Sequence, residues 1–79
     1  MRILKFYADY CAPCKAVSQN LKNSRLPIEI VDVDAEDNED MVREYGIRSV
    51  PVTILLDDAG KEVKRWIGVF DVNEIKALM

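Results

Sequence analysis

Apolar and polar positions change period several times along the chain, and each period predicts one element of structure. A mostly apolar, β-prone run over residues 3–8 predicts a buried strand, with Lys5 as its one charged member. Apolar residues at three- and four-residue spacing predict a helix over roughly residues 12–23. Pro13 suits the first turn of that helix, because no N–H is needed there. A further apolar run over residues 28–33 predicts the second strand.

A second helix and a third strand follow. Met41, Val42 and Tyr45 have helical spacing, and Gly46 fits the left-handed position that ends a helix. The apolar run over residues 50–56 then predicts a strand.

A hairpin and a last helix complete the chain. A turn over residues 57–60, with Gly60 available for positive φ, leads into an alternating strand over residues 62–67. The charges of that strand suit the edge of a sheet. Asp71 and Glu74 are spaced as a variant of the helix capping box. The apolar face of the last helix would consist of Val72, Ile75, Leu78 and Met79.

The order of predicted elements is β-α-β-α-β-β-α, which indicates an α/β fold. A helical crossover joins the first two strands, so they should be parallel, whereas the last two form an antiparallel hairpin. We expect a central four-stranded mixed sheet flanked by three helices, in a single domain that spans residues 1–79.

Composition narrows the class of protein. With 49% hydrophobic and 32% charged residues, the chain should fold rather than remain disordered. A net charge of −3 argues against binding of nucleic acid, which relies on cationic contacts to phosphate. The apolar runs are too short for a membrane span, and the first residues show no signal-peptide pattern. We therefore expect a cytoplasmic protein with no membrane partner.

The chain has two cysteines and no histidine. This excludes histidine general bases, Ser-His and Cys-His dyads, and every zinc site built on histidine. The cysteines form a Cys-x-x-Cys motif, Cys11 to Cys14, between the first strand and the first helix, which is typical of thiol–disulfide redox sites. The helix N-terminus favours the thiolate of Cys11, the attacking species in disulfide exchange. We predict that Cys11 is the nucleophile and Cys14 the resolving cysteine.

Other functions of the two cysteines, and a metal site in the acidic segment, fit the sequence less well. A Cys-x-x-Cys is also half of a zinc or iron–sulfur site, but such a site would have to bridge two chains here. A purely structural disulfide would close too short a loop to restrain much of the unfolded chain. The acidic run over residues 32–40 hints at a calcium loop, but Asp37 and Arg43 stand where glycine and glutamate are needed. We expect no metal ligands.

Three segments, in order along the chain, resemble the thioredoxin family. Residues 6–15 (FYADYCAPCK) are similar to the family's aromatic residue before Cys-Gly-Pro-Cys-Lys, with Tyr10 in the aromatic position. Residues 45–53 (YGIRSVPVT) are similar to the YGIRxxPT stretch that carries the family's cis-proline. Residues 66–68 (WIG) lie where the family has a Val-Gly loop after its hairpin. The resemblance covers the whole chain and implies a minimal thioredoxin-like fold.

The resemblance implies a protein-disulfide reductase with no bound cofactor, whose working group is a redox-active Cys11–Cys14 disulfide. It also implies a cis Val50–Pro51 bond, with Pro51 packed beside the disulfide. An extended substrate chain would lie on an apolar rim made of Tyr10, Ala12, Pro13, Val50, Pro51, Ile67 and Gly68. The implied substrates are disulfide-containing proteins such as ribonucleotide reductase, and the implied electron donor is an NADPH- or ferredoxin-linked thioredoxin reductase. We expect a monomer.

The start of the chain departs from the family pattern and leaves alternatives open. The chain begins directly on the strand before the motif, which gives it the element count of a glutaredoxin core. A glutathione-dependent glutaredoxin is therefore one alternative. Against it, the Gly-Gly segment that holds glutathione is missing, and only Arg48 and Asp71 are candidates to bind the tripeptide. The other alternative is a non-enzymatic module that binds a metal or a partner through the two cysteines.

Lys5 is a second departure, because thioredoxins have a buried aspartate at the matching position. If Lys5 points at the active site, its charge would favour the thiolate of Cys11 or Cys14, and a deprotonated Lys5 could itself accept a proton. Alternatively, its stem packs while the ammonium reaches solvent or pairs with Glu29 or Asp32 on the neighbouring strand.

Overall fold

The structure, a computed structural model, describes all 79 residues as one four-stranded sheet with three helices. The strands lie in the order β2-β1-β3-β4. β1 and β2 are parallel, whereas β1–β3 and β3–β4 are antiparallel. These findings confirm the predicted α/β fold with a mixed sheet. The elements are β1 (Arg2–Tyr7), α1 (Ala12–Ser24), β2 (Glu29–Asp34), α2 (Glu39–Glu44), β3 (Val52–Leu56), β4 (Glu62–Ile67) and α3 (Asn73–Lys76).

Helices cover both faces of the sheet, so β1 and β3 are buried on both sides. Successive side chains of a strand point to opposite faces. One face packs against α1 and α3 in a core of Ile3, Val17, Leu21, Leu55, Trp66 and Ile75. The other face packs against α2 in a core of Leu4, Phe6, Val33, Val52, Ile54 and Leu56. Burial on both sides explains why these two strands are nearly continuous apolar runs in the sequence.

The turns and helix ends follow the local signals in the sequence. Gly46 ends α2 at φ +65°, and Gly60 lies in the hairpin at φ +83°, both in the left-handed region predicted for them. α1 ends on Arg25 at φ 51°, a conformation that is uncommon outside glycine. β4 has the predicted bounds and is an edge strand, as its charges suggest.

None of the helices combines the length and apolar character that a bilayer crossing needs.

β3 is shorter than predicted. The expected strand begins at residue 50, but the ladder begins at Val52. Pro51 has no N–H to donate to a neighbouring strand, so the segment before Val52 becomes a loop beside the cysteines.

The predicted capping box of the last helix is wrong. Asp71 Oδ1 accepts the N–H of Asn73, two residues on, at 2.9 Å, while the Glu74 N–H donates to the Asp71 carbonyl at 3.0 Å. The Glu74 carboxylate instead lies 3.7 Å from Lys64 Nζ on β4. A short Asx turn therefore starts α3.

The predicted apolar face of this helix is only partly correct. Ile75 is fully buried and Val72 packs on the same core, but Leu78 and Met79 are 39% and 54% exposed. α3 has only four residues, so its apolar face does not extend beyond its single turn.

Candidate active site

The first turn of α1 carries both cysteines. Cys11 is the N-cap residue, with extended backbone at φ −93° and ψ 103°, and its N–H donates to the Ala8 carbonyl at 3.1 Å. Pro13 lies in the first turn, as predicted. The Cys14 N–H donates to Cys11 Sγ at 3.1 Å. The sulfur of Cys11 therefore occupies the end of the helix where unpaired N–H groups favour negative charge.

Cys11 and Cys14 form a disulfide with their Cα atoms 5.2 Å apart, within the usual range for such bonds. Cys11 is 7% exposed and Cys14 is 3% exposed. Ala8 completes this small cluster, and Tyr7 and Val50 pack against it.

The loop before β3 lies against the disulfide. The Val50–Pro51 bond is cis, which confirms that expectation, and Val50 packs on the cysteine cluster. The Gly68 N–H donates to the Pro51 carbonyl at 2.9 Å, and Gly68 is at φ +84°. This hydrogen bond joins the loop after β4 to the proline loop. Segments far apart in sequence thus meet around the two sulfurs.

The residues predicted to form the substrate rim differ in their exposure to solvent. Tyr10 and Ile67 are 79% and 70% exposed, and Ala12 and Pro13 are exposed beside the disulfide. Val50, Pro51 and Gly68 are buried or half-buried. Val69, which no motif in the sequence singles out, is 55% exposed in the loop directly after β4, two residues beyond Ile67.

Two clefts lie in this region, one lined by Cys14 and the other by Tyr10 and Val50. One of about 180 Å³ lies beside Tyr10 and is lined by Val42, Ile47, Arg48 and Val50. Its lining is mostly apolar, with Arg48 as its charged member. Asp71, the other residue considered for glutathione, uses its carboxylate at the start of α3.

The second cleft, of about 300 Å³, lies beside Cys14. Its walls include Tyr7, Ser18 and Lys22. The pKa of Tyr7 is raised above its usual value of 10.0, mainly because the phenol is partly removed from solvent. The negative charges of Asp34 and Asp9 add to this effect because they disfavour the phenolate. The phenol therefore stays neutral at the pH where thiolates form.

Lys5, on β1, is almost fully buried. Its Nζ is 2.7 Å from Asp32 Oδ1, which confirms the predicted pairing with the neighbouring strand, whereas Glu29 pairs with Arg2 instead. Lys5 Nζ also donates to Ser18 Oγ, and Ser18 Oγ donates to the Cys14 carbonyl at 3.0 Å. The helical spacing places Ser18 on the same face as Cys14, four residues on, but nothing in the sequence indicates its hydrogen bond to Lys5.

No group of three or more cysteine, aspartate, glutamate or histidine side chains comes together as metal ligands would. The acidic run divides between the end of β2, a turn and the start of α2.

A dithiol at a helix N-terminus, beside a cis-proline on an α/β sheet, defines a thiol–disulfide oxidoreductase. The thioredoxin family model matches residues 1–79. The SPβ prophage-derived thioredoxin-like protein YosR of Bacillus subtilis is 42% identical over 79 residues, covering 100% of this chain and 95% of that protein. The thioredoxin of Mycoplasmoides gallisepticum is 32% identical over 80 residues, covering 98% of this chain and 79% of that protein.

Solved structures agree. A mutant thioredoxin from Halobacterium salinarum superposes with a TM-score of 0.84 at 28% identity, covering 96% of this chain and 68% of that one. Thioredoxin 1 of Thermosipho africanus gives 0.81 at 28% identity, covering 95% and 85%. The chain belongs to the thioredoxin family. It is a thiol–disulfide oxidoreductase that acts on disulfide-containing proteins through the Cys11–Cys14 pair.

Proposed function

We propose that Cys11 attacks the substrate and Cys14 resolves the intermediate. The Cys11 thiolate attacks one sulfur of a substrate disulfide, the substrate S–S bond breaks, and the departing thiolate takes up a proton from solvent. The Cys14 thiolate then attacks Cys11 Sγ and expels the second substrate thiolate, which is also protonated. Two electrons and two protons have then passed to the substrate, and the Cys11–Cys14 disulfide has formed.

The position of Cys11 Sγ at the N-cap of α1 carries this assignment. The sulfur already accepts the Cys14 N–H at 3.1 Å, so the same donor is available to a thiolate. The helix dipole favours negative charge at this end and not one turn further in. The greater exposure of Cys11, 7% against 3%, also supports first contact with the substrate.

The rim around the disulfide supports a protein substrate. Tyr10, directly before Cys11, and Ile67, directly before the Gly68 that donates to the Pro51 carbonyl, are 79% and 70% exposed and offer apolar contact to a substrate chain. We propose that an extended chain lies between them. The proposed contact residues are Tyr10, Ala12, Pro13, Val50, Pro51, Ile67 and Gly68.

We further propose a single-domain, monomeric, cytoplasmic enzyme that is recycled by a thioredoxin reductase, with ribonucleotide reductase among its substrates. A glutaredoxin would instead be reduced by glutathione. Arg48 is free at the edge of its cleft, but the carboxylate of Asp71 is engaged by the Asn73 N–H. That arrangement leaves little to hold the charged groups of glutathione and supports a protein reductase.

A turnover assay with insulin as the disulfide substrate tests this function. With NADPH and thioredoxin reductase, the protein should catalyse steady reduction of insulin, and the Cys11→Ser variant should be inactive. With glutathione, glutathione reductase and NADPH, the rate should stay near the uncatalysed background. Faster turnover with glutathione than with the reductase would contradict the assigned electron donor.

A further inference from the structure

Lys5 is the only charged residue in the core of the protein. It lies in a row across the sheet, paired in register with Asp32 on β2 and with Thr53 on β3. The row is on the face that packs against α1, because Lys5 Nζ reaches Ser18 on that helix. A charge in the core is costly unless it is paired and hydrogen-bonded, and Lys5 has both kinds of partner in Asp32 and Ser18.

The contacts of Lys5 lead to Cys14. Its ammonium donates to Ser18 Oγ, which in turn donates to the Cys14 carbonyl at 3.0 Å. The ammonium is therefore two hydrogen bonds away from the backbone of Cys14. Cys14 and Ser18 also share the wall of the 300 Å³ cleft, whereas Cys11 does not line it. The hydrogen bonds thus connect the charge to the resolving cysteine and not to the nucleophile.

Solvent screens the two members of the ion pair unequally. The side chain of Lys5 is 9% exposed, and that of Asp32 is 57% exposed on the edge strand β2. Charges in contact with water are screened far more than buried ones. The carboxylate therefore cancels only part of the field that the ammonium exerts on Cys14.

We propose that Lys5 is a positioning residue that favours the thiolate of Cys14 when this cysteine resolves the mixed disulfide. The inference rests on the roles proposed above for the two cysteines. In that step the Cys14 thiol gives its proton to water in the adjacent cleft, and its sulfur forms a bond to Cys11 Sγ while the Cys11–substrate bond breaks. Lys5 acts as a charge and a hydrogen-bond donor through Ser18, and it exchanges no proton itself.

Other charged or titratable groups around Cys14 also influence the pKa that is measured for this thiol. From the end of β1 and the following turn come Tyr7 and Asp9, and from α1 come Lys15 and Lys22, all of which line the cleft. They stay unchanged in the comparison below, so their contribution cancels.

The test uses variants in which Cys14 is the only thiol. In a Cys11→Ser background, the pH profile of alkylation by iodoacetamide reports the pKa of Cys14 alone, with no coupling to a second thiol. Lys5→Met should raise that pKa by roughly one unit, because an opposite charge near a thiolate is lost. Asp32→Asn should lower it, because the ammonium is then uncompensated. Thr53→Val, in the same row but without a change of charge, is the matched control and should leave it unchanged.

The two charge variants should shift the pKa of Cys14 in opposite directions, which distinguishes an electrostatic role of Lys5 from a structural one. A loss of packing would move both charge variants in the same direction or not at all, and either result would overturn the proposal. In a Cys14→Ser background, Lys5→Met should shift the pKa of Cys11 less than it shifts that of Cys14, and the reverse order would also overturn it. Lys5→Arg should retain most of the wild-type profile. Because alkylation does not depend on turnover, failure of the insulin assay would leave this test unaffected.

Discussion

Replacing Thr53 by valine should stabilise the protein. Thr53 is completely buried in β3, and its Oγ1 has no hydrogen-bond partner. Threonine and valine are both β-branched and suit the same strand geometry, so the substitution changes only a hydroxyl into a methyl. The variant removes a polar group from the core without leaving a cavity.

The expected gain is about 1–2 kcal/mol in the free energy of unfolding. A buried hydroxyl without a partner costs about 1–3 kcal/mol, and the added methyl contributes at most about 0.8 kcal/mol of apolar burial. We take the lower part of this range because the core must accommodate a slightly different shape. Domains of this size have roughly 3–5 kcal/mol in total, so the gain is large, and each kcal/mol should raise the Tm by about 4–8 °C.

Urea unfolding at pH 7, with the disulfide intact in every variant, measures this gain. The midpoint should rise while the slope stays constant. Thr53→Ser is the matched control, because it keeps the hydroxyl and loses the methyl, and it should lower stability by about 1 kcal/mol. A loss of 1 kcal/mol or more for Thr53→Val would refute the reasoning, since it would mean that the hydroxyl has a partner such as Lys5 Nζ, its neighbour in register.

Three further predictions concern other parts of the fold. Ile75→Ala should cost about 2–4 kcal/mol in urea unfolding, because this fully buried side chain anchors α3. The hydrogen bond from Arg65 lowers the pKa of Glu62 below 4.5, so the stability that Glu62 contributes is present above about pH 4.5 and lost as the pH falls through the lowered pKa. The difference in unfolding free energy between wild type and Glu62→Gln should accordingly decrease as the pH falls below about 4.5. Ile67→Ser should raise KM for insulin roughly tenfold through lost apolar contact, whereas the same change at Val63, an exposed residue of β4 away from the rim, should not.

Most of the fold could be predicted because its signals are local. Strand β4 alternates with period two, and Gly46 and Gly60 mark turns that require positive φ. The disulfide between Cys11 and Cys14 could be predicted for the same reason, since the two cysteines lie within one helical turn. Their spacing alone brings the sulfurs together.

The remaining features depend on how elements pack. The link from Lys5 to Ser18 and Cys14 exists because α1 crosses the sheet above the row that contains Lys5, and no local pattern encodes that crossing. The early end of α3 also depends on packing. Leu78 has helical spacing from Ile75, but the core accommodates only the first of these two side chains.

Trapping of the mixed disulfide shows directly which cysteine attacks the substrate. Reduced Cys14→Ser and Cys11→Ser variants are incubated with insulin, quenched with acid and weighed by intact mass spectrometry. We expect a stable adduct on Cys11 in the Cys14→Ser variant, and little or none in the Cys11→Ser variant, because the remaining sulfur is one turn inside the helix and 3% exposed. Equal adduct formation by the two variants, or a larger yield on Cys14, would contradict the assignment of Cys11 as the nucleophile.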